Sequence, residues 1–275
     1  MVVFDVVRQV GPKIALTIAG SDSCGGAGIQ ADLKTFTALG VFGASAITAL
    51  IAQNTLGVRS VVDMEPAFVV SQIDAIMDDF PLAAAKTGML SHAGIIEAVA
   101  ERLREREMVN LVVDPVMVAA SGDPLLAPGA VAAIREQLFP LAALVTPNLR
   151  EAEILLGCEE IADVAKMRSA VHGLVDLGAR AALITGGALG GPDALDVLFD
   201  GGQIHEFRGR RFEQQVHGAG CTLSAAIAAL LARDYELIDA VRSAKDFVSR
   251  AIEHSPPFGH GSRLLNHFPT ASKSN

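Results

Sequence analysis

Ile14-Ala15-Leu16-Thr17-Ile18-Ala19 runs straight into Gly20-Ser21-Asp22-Ser23-Cys24-Gly25-Gly26-Ala27-Gly28, and a further segment follows to about Leu39. The apolar run reads as a strand, the glycine-rich stretch as a loop and the last segment as a helix. The same step recurs along the chain. Further strands are expected at Ser45–Ala52, Val58–Met64, Ala84–Thr87, Asn110–Val113, Leu144–Thr146 and Ala181–Thr185. Helices are expected over Pro66–Asp79, His92–Glu107, Pro128–Leu138, Arg150–Leu156 and Asp163–Leu177, with two more from Cys221 and from about Glu236. Asp196–Phe199 and Gln203–Phe207 read as a hairpin around Asp200-Gly201-Gly202. Repeated βα units predict a single α/β domain, a doubly wound and mostly parallel central sheet flanked by helices, with right-handed crossovers.

Composition agrees with that class. The 275 residues are 51% hydrophobic, with one Tyr and no Trp. Aliphatic residues dominate, which suits strands covered on both faces. A net charge of −9 argues against nucleic acid as a partner. Cys24, Cys158 and Cys221 are far apart and odd in number, which points to reduced thiols in the cytoplasm rather than a disulfide framework. Met1 to Gly11 is interrupted by Asp5 and Arg8 and reads as no signal peptide, and no apolar run is long enough to span a membrane.

The stretch Val216-His217-Gly218-Ala219-Gly220-Cys221-Thr222 carries the chemistry. Gly218 and Gly220 permit a tight turn at a helix start, where N–H groups converge and favour an anion. Cys221 falls in the first turn, where a thiolate is favoured. The same pattern equally describes a turn followed by a small core residue. Ligands of open α/β sheets bind beyond the carboxyl ends of the strands. Asp22, Gln53, Asn54, Thr87, Met89, Asp114, Asn148, Glu151, Thr185 and Gly187 all fall at or just after such ends. Asp114 and Glu151 suit magnesium held through its waters, and Asn148 could orient a water or the ion. Asn148 and Glu151 would also satisfy a helix capping box. GxxxxGK[ST], GxSxG and HExxH are absent.

Several longer runs carry a resemblance. Gly25-Gly26-Ala27-Gly28-Ile29-Gln30-Ala31-Asp32-Leu33-Lys34-Thr35, Ala52-Gln53-Asn54-Thr55, Lys86-Thr87-Gly88-Met89, Asp114-Pro115-Val116-Met117, Thr146-Pro147-Asn148 and His217-Gly218-Ala219-Gly220-Cys221-Thr222 resemble the hydroxymethylpyrimidine/phosphomethylpyrimidine kinases of thiamine biosynthesis, within the ribokinase-like superfamily. The resemblance runs from about Ile14 to Phe268 and implies a kinase domain over residues 13–270, with an extension at 1–12 and a tail at 271–275. It implies two ATP- and magnesium-dependent steps in one site, on a pyrimidine alcohol and then on its phosphate. Gln53 would bond the aminopyrimidine, and Asp32, Gly20, Met89 and Val116 would line its pocket. Asp114, Asn148, Glu151, Thr185 and Gly187 would serve the nucleotide, and the N–H groups of Ala219, Gly220 and Cys221 the moving phosphoryl group. Cys221 stands where related sugar kinases carry an aspartate base. A homodimer is also implied. Ala120 and Thr185 depart from the pattern by replacing lysines, and Ala219 by replacing a threonine. A pyridoxal or pyridoxine kinase, and a non-catalytic pyrimidine-binding protein, are the alternatives.

Overall fold

The structure, a computed structural model, describes residues 11–118, 125–127 and 129–268. Its frame is a sheet whose first strand, β1 (Ile14–Asp22), is paired in parallel on both sides. On one side lies β2 (Phe42–Asn54), and outside it the antiparallel edge strand β3 (Gly57–Asp63). On the other side run β4 (Leu82–Thr87), β5 (Leu111–Val113), β6 (Leu144–Val145) and β7 (Ala182–Gly186), all parallel. Antiparallel β8 (Asp193–Phe199) and β9 (Ile204–Arg210) finish the nine-stranded order β3-β2-β1-β4-β5-β6-β7-β8-β9. The chain leaves β1 towards β2 and later returns to β1's other side as β4. The winding therefore reverses between β1 and β4, and a crevice opens beyond their carboxyl ends.

Helices cover both faces. On one lie α1 (Gly28–Ala38), α7 (Ala219–Ala232) and α8 (Leu237–Glu253). On the other lie α2 (Pro66–Met77), α3 (Ala93–Glu105), α4 (Ala130–Ala133), α5 (Leu149–Leu156) and α6 (Val164–Asp176). Helix α7 is buried from Thr222 to Ala232, because small Ala side chains let it lie close to the sheet and to α1. Asn148 and Glu151 make the expected capping box on α5, and Asp163 caps α6 by accepting from Lys166 N at 2.8 Å.

Three differences from the sequence reading have physical causes. Strand β2 begins at Phe42 rather than Ser45, because Gly43 lets it close onto α1: a Cβ there would lie 2.7 Å from Leu33 and 2.9 Å from Phe36. The helix expected over 128–138 is α4 followed by a π turn at Ile134–Leu138 and a 3₁₀ turn at Phe139–Leu141; its expected first residue, Pro128, lies outside the described residues. Val216–His217 forms a short strand, β10, paired with β11 (Arg263–Leu264), and so ties the chain's end to the glycine turn.

Candidate active site

Two glycine loops lock together at the switch point. Gly218 caps α7 with φ +89, and a Cβ on it would lie 1.8 Å from Gly26 O. Gly28 opens α1 with φ +55, and a Cβ there would lie 2.2 Å from Gly20 O. Side chains are excluded at both points by conformation and by space. Asp22 organises the first loop from within. Its carboxylate accepts from the amides of Cys24 (2.9 Å), Gly26 (3.0 Å) and Ala27 (2.8 Å) and contacts His217 Nε2 at 3.0 Å. Burial would raise its pKa, but these bonds outweigh burial and hold it well below the usual carboxylate range.

Helix α7 begins at Ala219, two residues before the expected start. Its first intrahelical bond runs from Thr222 N to Gly218 O at 2.9 Å. The amides of Ala219, Gly220 and Cys221 are therefore left without a helical acceptor, at the positive end of the dipole. They border a cavity of about 240 Å³. Gly20, Gln53, Met89 and Val116 line it, together with Asp114, Asn148, Glu151 and Thr185. A second cavity of about 310 Å³ shares Thr185, Ala219 and Gly220 with the first. Gly187 lies on this second cavity, not the first. Arg210, Arg211 and Lys245 line it beside Phe212, Leu223 and Val248. These cations were missed by sequence reasoning, since they lie on β9, after it and on α8, away from any motif. Ala120 lies outside the described residues.

Asp32 is placed differently from expectation. It is fully buried behind the cavity, not on its wall. Its carboxylate takes Lys86 Nζ at 2.9 and 3.0 Å and Thr17 Oγ1 at 2.6 Å. Lys86 is also fully buried and stands 3.9 Å from Asp114 Oδ2, which accepts from Ser224 Oγ at 2.9 Å. Lys86 thus pairs with Asp32 behind the cavity and places its charge 3.9 Å from Asp114, which lines it. In sequence it stood in the Lys86-Thr87-Gly88-Met89 run without a role, because a lysine inside an apolar strand shows its role only once its partners are placed.

Cys221 corrects a second expectation. It is partly exposed to the cavity, yet the protein packed around its sulfur pushes the thiol up to about 12. Lys86 and the Gly28 amide favour the thiolate; Asp114 and Asp32 oppose it. At neutral pH this residue is a thiol, despite its place at a helix start. Glu151 is pushed up to about 8 by burial and then by the charge of Asp114, while backbone donors at Asn148 and Met117 pull it down. Its Oε2 accepts from Asn148 N at 2.9 Å, so the capping role and the cavity position coexist.

A crevice at the switch point, with an amide cradle facing acidic groups, belongs to a ribokinase-like kinase acting on a small molecule. Comparison with known proteins is more specific. The family described as phosphomethylpyrimidine kinase matches residues 22–266, and the chain belongs to that family. It is 50% identical over 258 residues to the hydroxymethylpyrimidine/phosphomethylpyrimidine kinase of Rhizobium meliloti, covering 93% of this chain and 97% of that one. It is 49% identical over 257 residues to the thiamine biosynthesis bifunctional protein ThiED of Geobacter sulfurreducens, covering 93% of this chain but 52% of that protein, about half its length. Among solved structures, an ADP complex of Bacillus subtilis pyridoxal kinase superposes with a TM-score of 0.88 at 41% identity, covering 94% of this chain and 98% of that one. The phosphomethylpyrimidine kinase of Clostridium difficile superposes with a TM-score of 0.78 at 42% identity, covering 87% and 99%. The chain is a phosphotransferase of this family.

Proposed function

We propose that the protein transfers the γ-phosphoryl group of ATP to the alcohol of 4-amino-5-hydroxymethyl-2-methylpyrimidine, and then to the resulting monophosphate, giving the pyrophosphate used in thiamine biosynthesis. One observation carries this reading: a single cavity joins Gln53 and apolar Met89 and Val116 to the free amides of α7's first turn. Gln53 offers a donor and an acceptor side by side, matching a ring nitrogen beside an amine. Met89 and Val116 cover the ring faces. The amides of Ala219, Gly220 and Cys221 receive the charge that spreads over the transferring group. In a loose transition state the acceptor needs little activation. Cys221 therefore acts as a protonated thiol that positions the alcohol, rather than as a resident thiolate base.

Asp114 and Glu151 fit magnesium. Burial raises both carboxylates, with the charge of Asp32 adding to the effect at Asp114 and that of Asp114 adding to it at Glu151, and a bound dication would offset both. They would hold the ion through its waters, with Asn148 alongside, and the bound ion would neutralise phosphate charge. The second cavity takes the nucleotide, with Thr185 and Gly187 along its edge and Arg210, Arg211 and Lys245 supplying positive charge where Thr185 replaces a lysine.

The kinase domain spans 13–270, with 1–12 and 271–275 outside it, and the protein works in the cytoplasm. Its three cysteines are free, and among the described residues no helix is long and apolar enough to cross a membrane. A homodimer forms through the β2–β3 edge, where Leu50 and its register partner Val62 are exposed, as is Leu56 in the turn between the strands. Sedimentation as a monomer at micromolar concentration would contradict that assembly. The kinase reading is tested by incubating the pyrimidine alcohol with magnesium and ATP and following products by mass spectrometry. The monophosphate should rise and then give way to the pyrophosphate; nucleotide binding without either product would favour a non-catalytic pyrimidine-binding protein.

A further inference from the structure

Beside Gln53, whose Nε2 lies 3.3 Å from His217 Nε2, three side chains of different metal-binding chemistry meet. Asp22 ends β1, Cys24 follows two residues later, and His217 arrives on β10 from far along the chain. Their ligand atoms all lie within 4.8 Å of one another. The single oxygen Asp22 Oδ2 contacts His217 Nε2 at 3.0 Å and Cys24 Sγ at 3.3 Å. The same oxygen accepts from the Gly26 and Ala27 amides, which hold the carboxylate whether or not the two side chains remain bonded to it. Gly26 keeps the imidazole in place by being a glycine: a Cβ there would lie 2.7 Å from His217 Cδ2. Cys24 is only half-buried, so the cluster is reachable from solvent.

We propose that Asp22, Cys24 and His217 form a binding site for a zinc-type divalent cation. Thiolate, imidazole and carboxylate are the ligands such ions take in tetrahedral sites, at roughly 2.3 Å for sulfur and about 2.0–2.2 Å for nitrogen and oxygen. Tetrahedral edges built from those lengths are about 3.3–3.6 Å, so the two contacts of Asp22 Oδ2 need to lengthen by only a few tenths of an ångström, while Cys24 Sγ and His217 Nε2 start within 4.8 Å of each other. A water completes the fourth position. On binding, the Cys24 thiol proton leaves to solvent and the sulfur binds as thiolate. His217 binds through Nε2 as the neutral ring, with its proton on Nδ1. The two anionic ligands then balance the dication. Magnesium is not the occupant, since it demands oxygen ligands in octahedral array. The site is thus chemically distinct from Asp114 and Glu151, and it pins the first glycine loop to β10.

Cobalt(II) is the probe, titrated into the whole protein with excess magnesium present. We expect one equivalent to give a sulfur-to-cobalt charge-transfer band that zinc abolishes by displacement. Cys24→Ala should remove the band and weaken binding by about 100-fold or more, whereas Cys221→Ala and Cys158→Ser should keep it. Cys24→Ser, the gentlest change, controls for folding through an unchanged circular dichroism spectrum. Absence of the band in the unaltered protein would overturn the proposal. So would a band that survives Cys24→Ala but is lost in Cys221→Ala, which would place the ion in the catalytic cavity.

Discussion

At the scale of single residues, charge placement decides what the site can do. Cys221 lies in the first turn of the amide cradle, but burial of its sulfur, with the charges of Asp114 and Asp32 adding to it, keeps its proton on at neutral pH. Cys221→Ala should lower kcat by about 100-fold or more, a range expected for removal of a positioned catalytic group, while the pyrimidine KM changes only severalfold. An equal loss in both would make the residue chiefly structural. Lys86 is the counterpart on the protein side. Without it, Asp32 would remain fully buried with only Thr17 as partner. Lys86→Met should destabilise the fold by about 3–5 kcal/mol in chemical denaturation, and adding Asp32→Leu should restore much of that. A loss below about 1 kcal/mol, the range of an exposed ion pair, would contradict this account. Gln53, Asp114, Glu151 and Cys221 stood out in sequence because they occupy strand ends and a helix start, and all four line one cavity. The resemblance put Asp32 on the pocket because position on α1 does not reveal which way a carboxylate faces, and it carried Lys86 within a motif without a role because burial is a property of partners.

At the scale of elements, the interlock of two loops is what holds the amides of α7 open. Gly218 and Gly220 look alike in sequence, but they differ in the fold. Gly218 has φ +89 and meets Gly26 O, whereas a Cβ on Gly220 would meet nothing within 4 Å. Gly218→Ala should therefore lower Tm by several degrees, as a loss of about 1–2 kcal/mol does in a domain of this size, and abolish protection by Mg-ATP. Gly220→Ala should fold normally. Equal behaviour of the two variants in a thermal-shift assay would contradict the interlock. The α/β order, the β8–β9 hairpin and the capping box of α5 were legible because period, turn residues and caps are local. The β10–β11 pairing was not, since two-residue strands carry no period.

At the scale of the whole molecule, the segment after β11 returns to the first turn of α7. His267 is buried and its Nε2 lies 2.9 Å from Thr222 Oγ1, in the first turn of α7. Burial, aided by Lys34, lowers its pKa to about 4 from 6.5. Between those values the unfolded chain binds a proton that the native state refuses. The stability this histidine contributes is complete above pH 6.5 and is lost as pH falls towards 4. The loss is on the order of 3 kcal/mol. His267→Gln should flatten the pH dependence of stability in that window; an unchanged slope in urea titrations would place the acid sensitivity elsewhere.

The nine-stranded sheet, the switch-point crevice and the family all converge on phosphoryl transfer to a small alcohol, and the substrate decides the account. ADP release should be measured with magnesium and ATP against hydroxymethylpyrimidine, its monophosphate and pyridoxal in parallel. Turnover of both pyrimidines, with pyridoxal slower, is the predicted result. Turnover of pyridoxal alone, or of none of the three by folded protein, would contradict it.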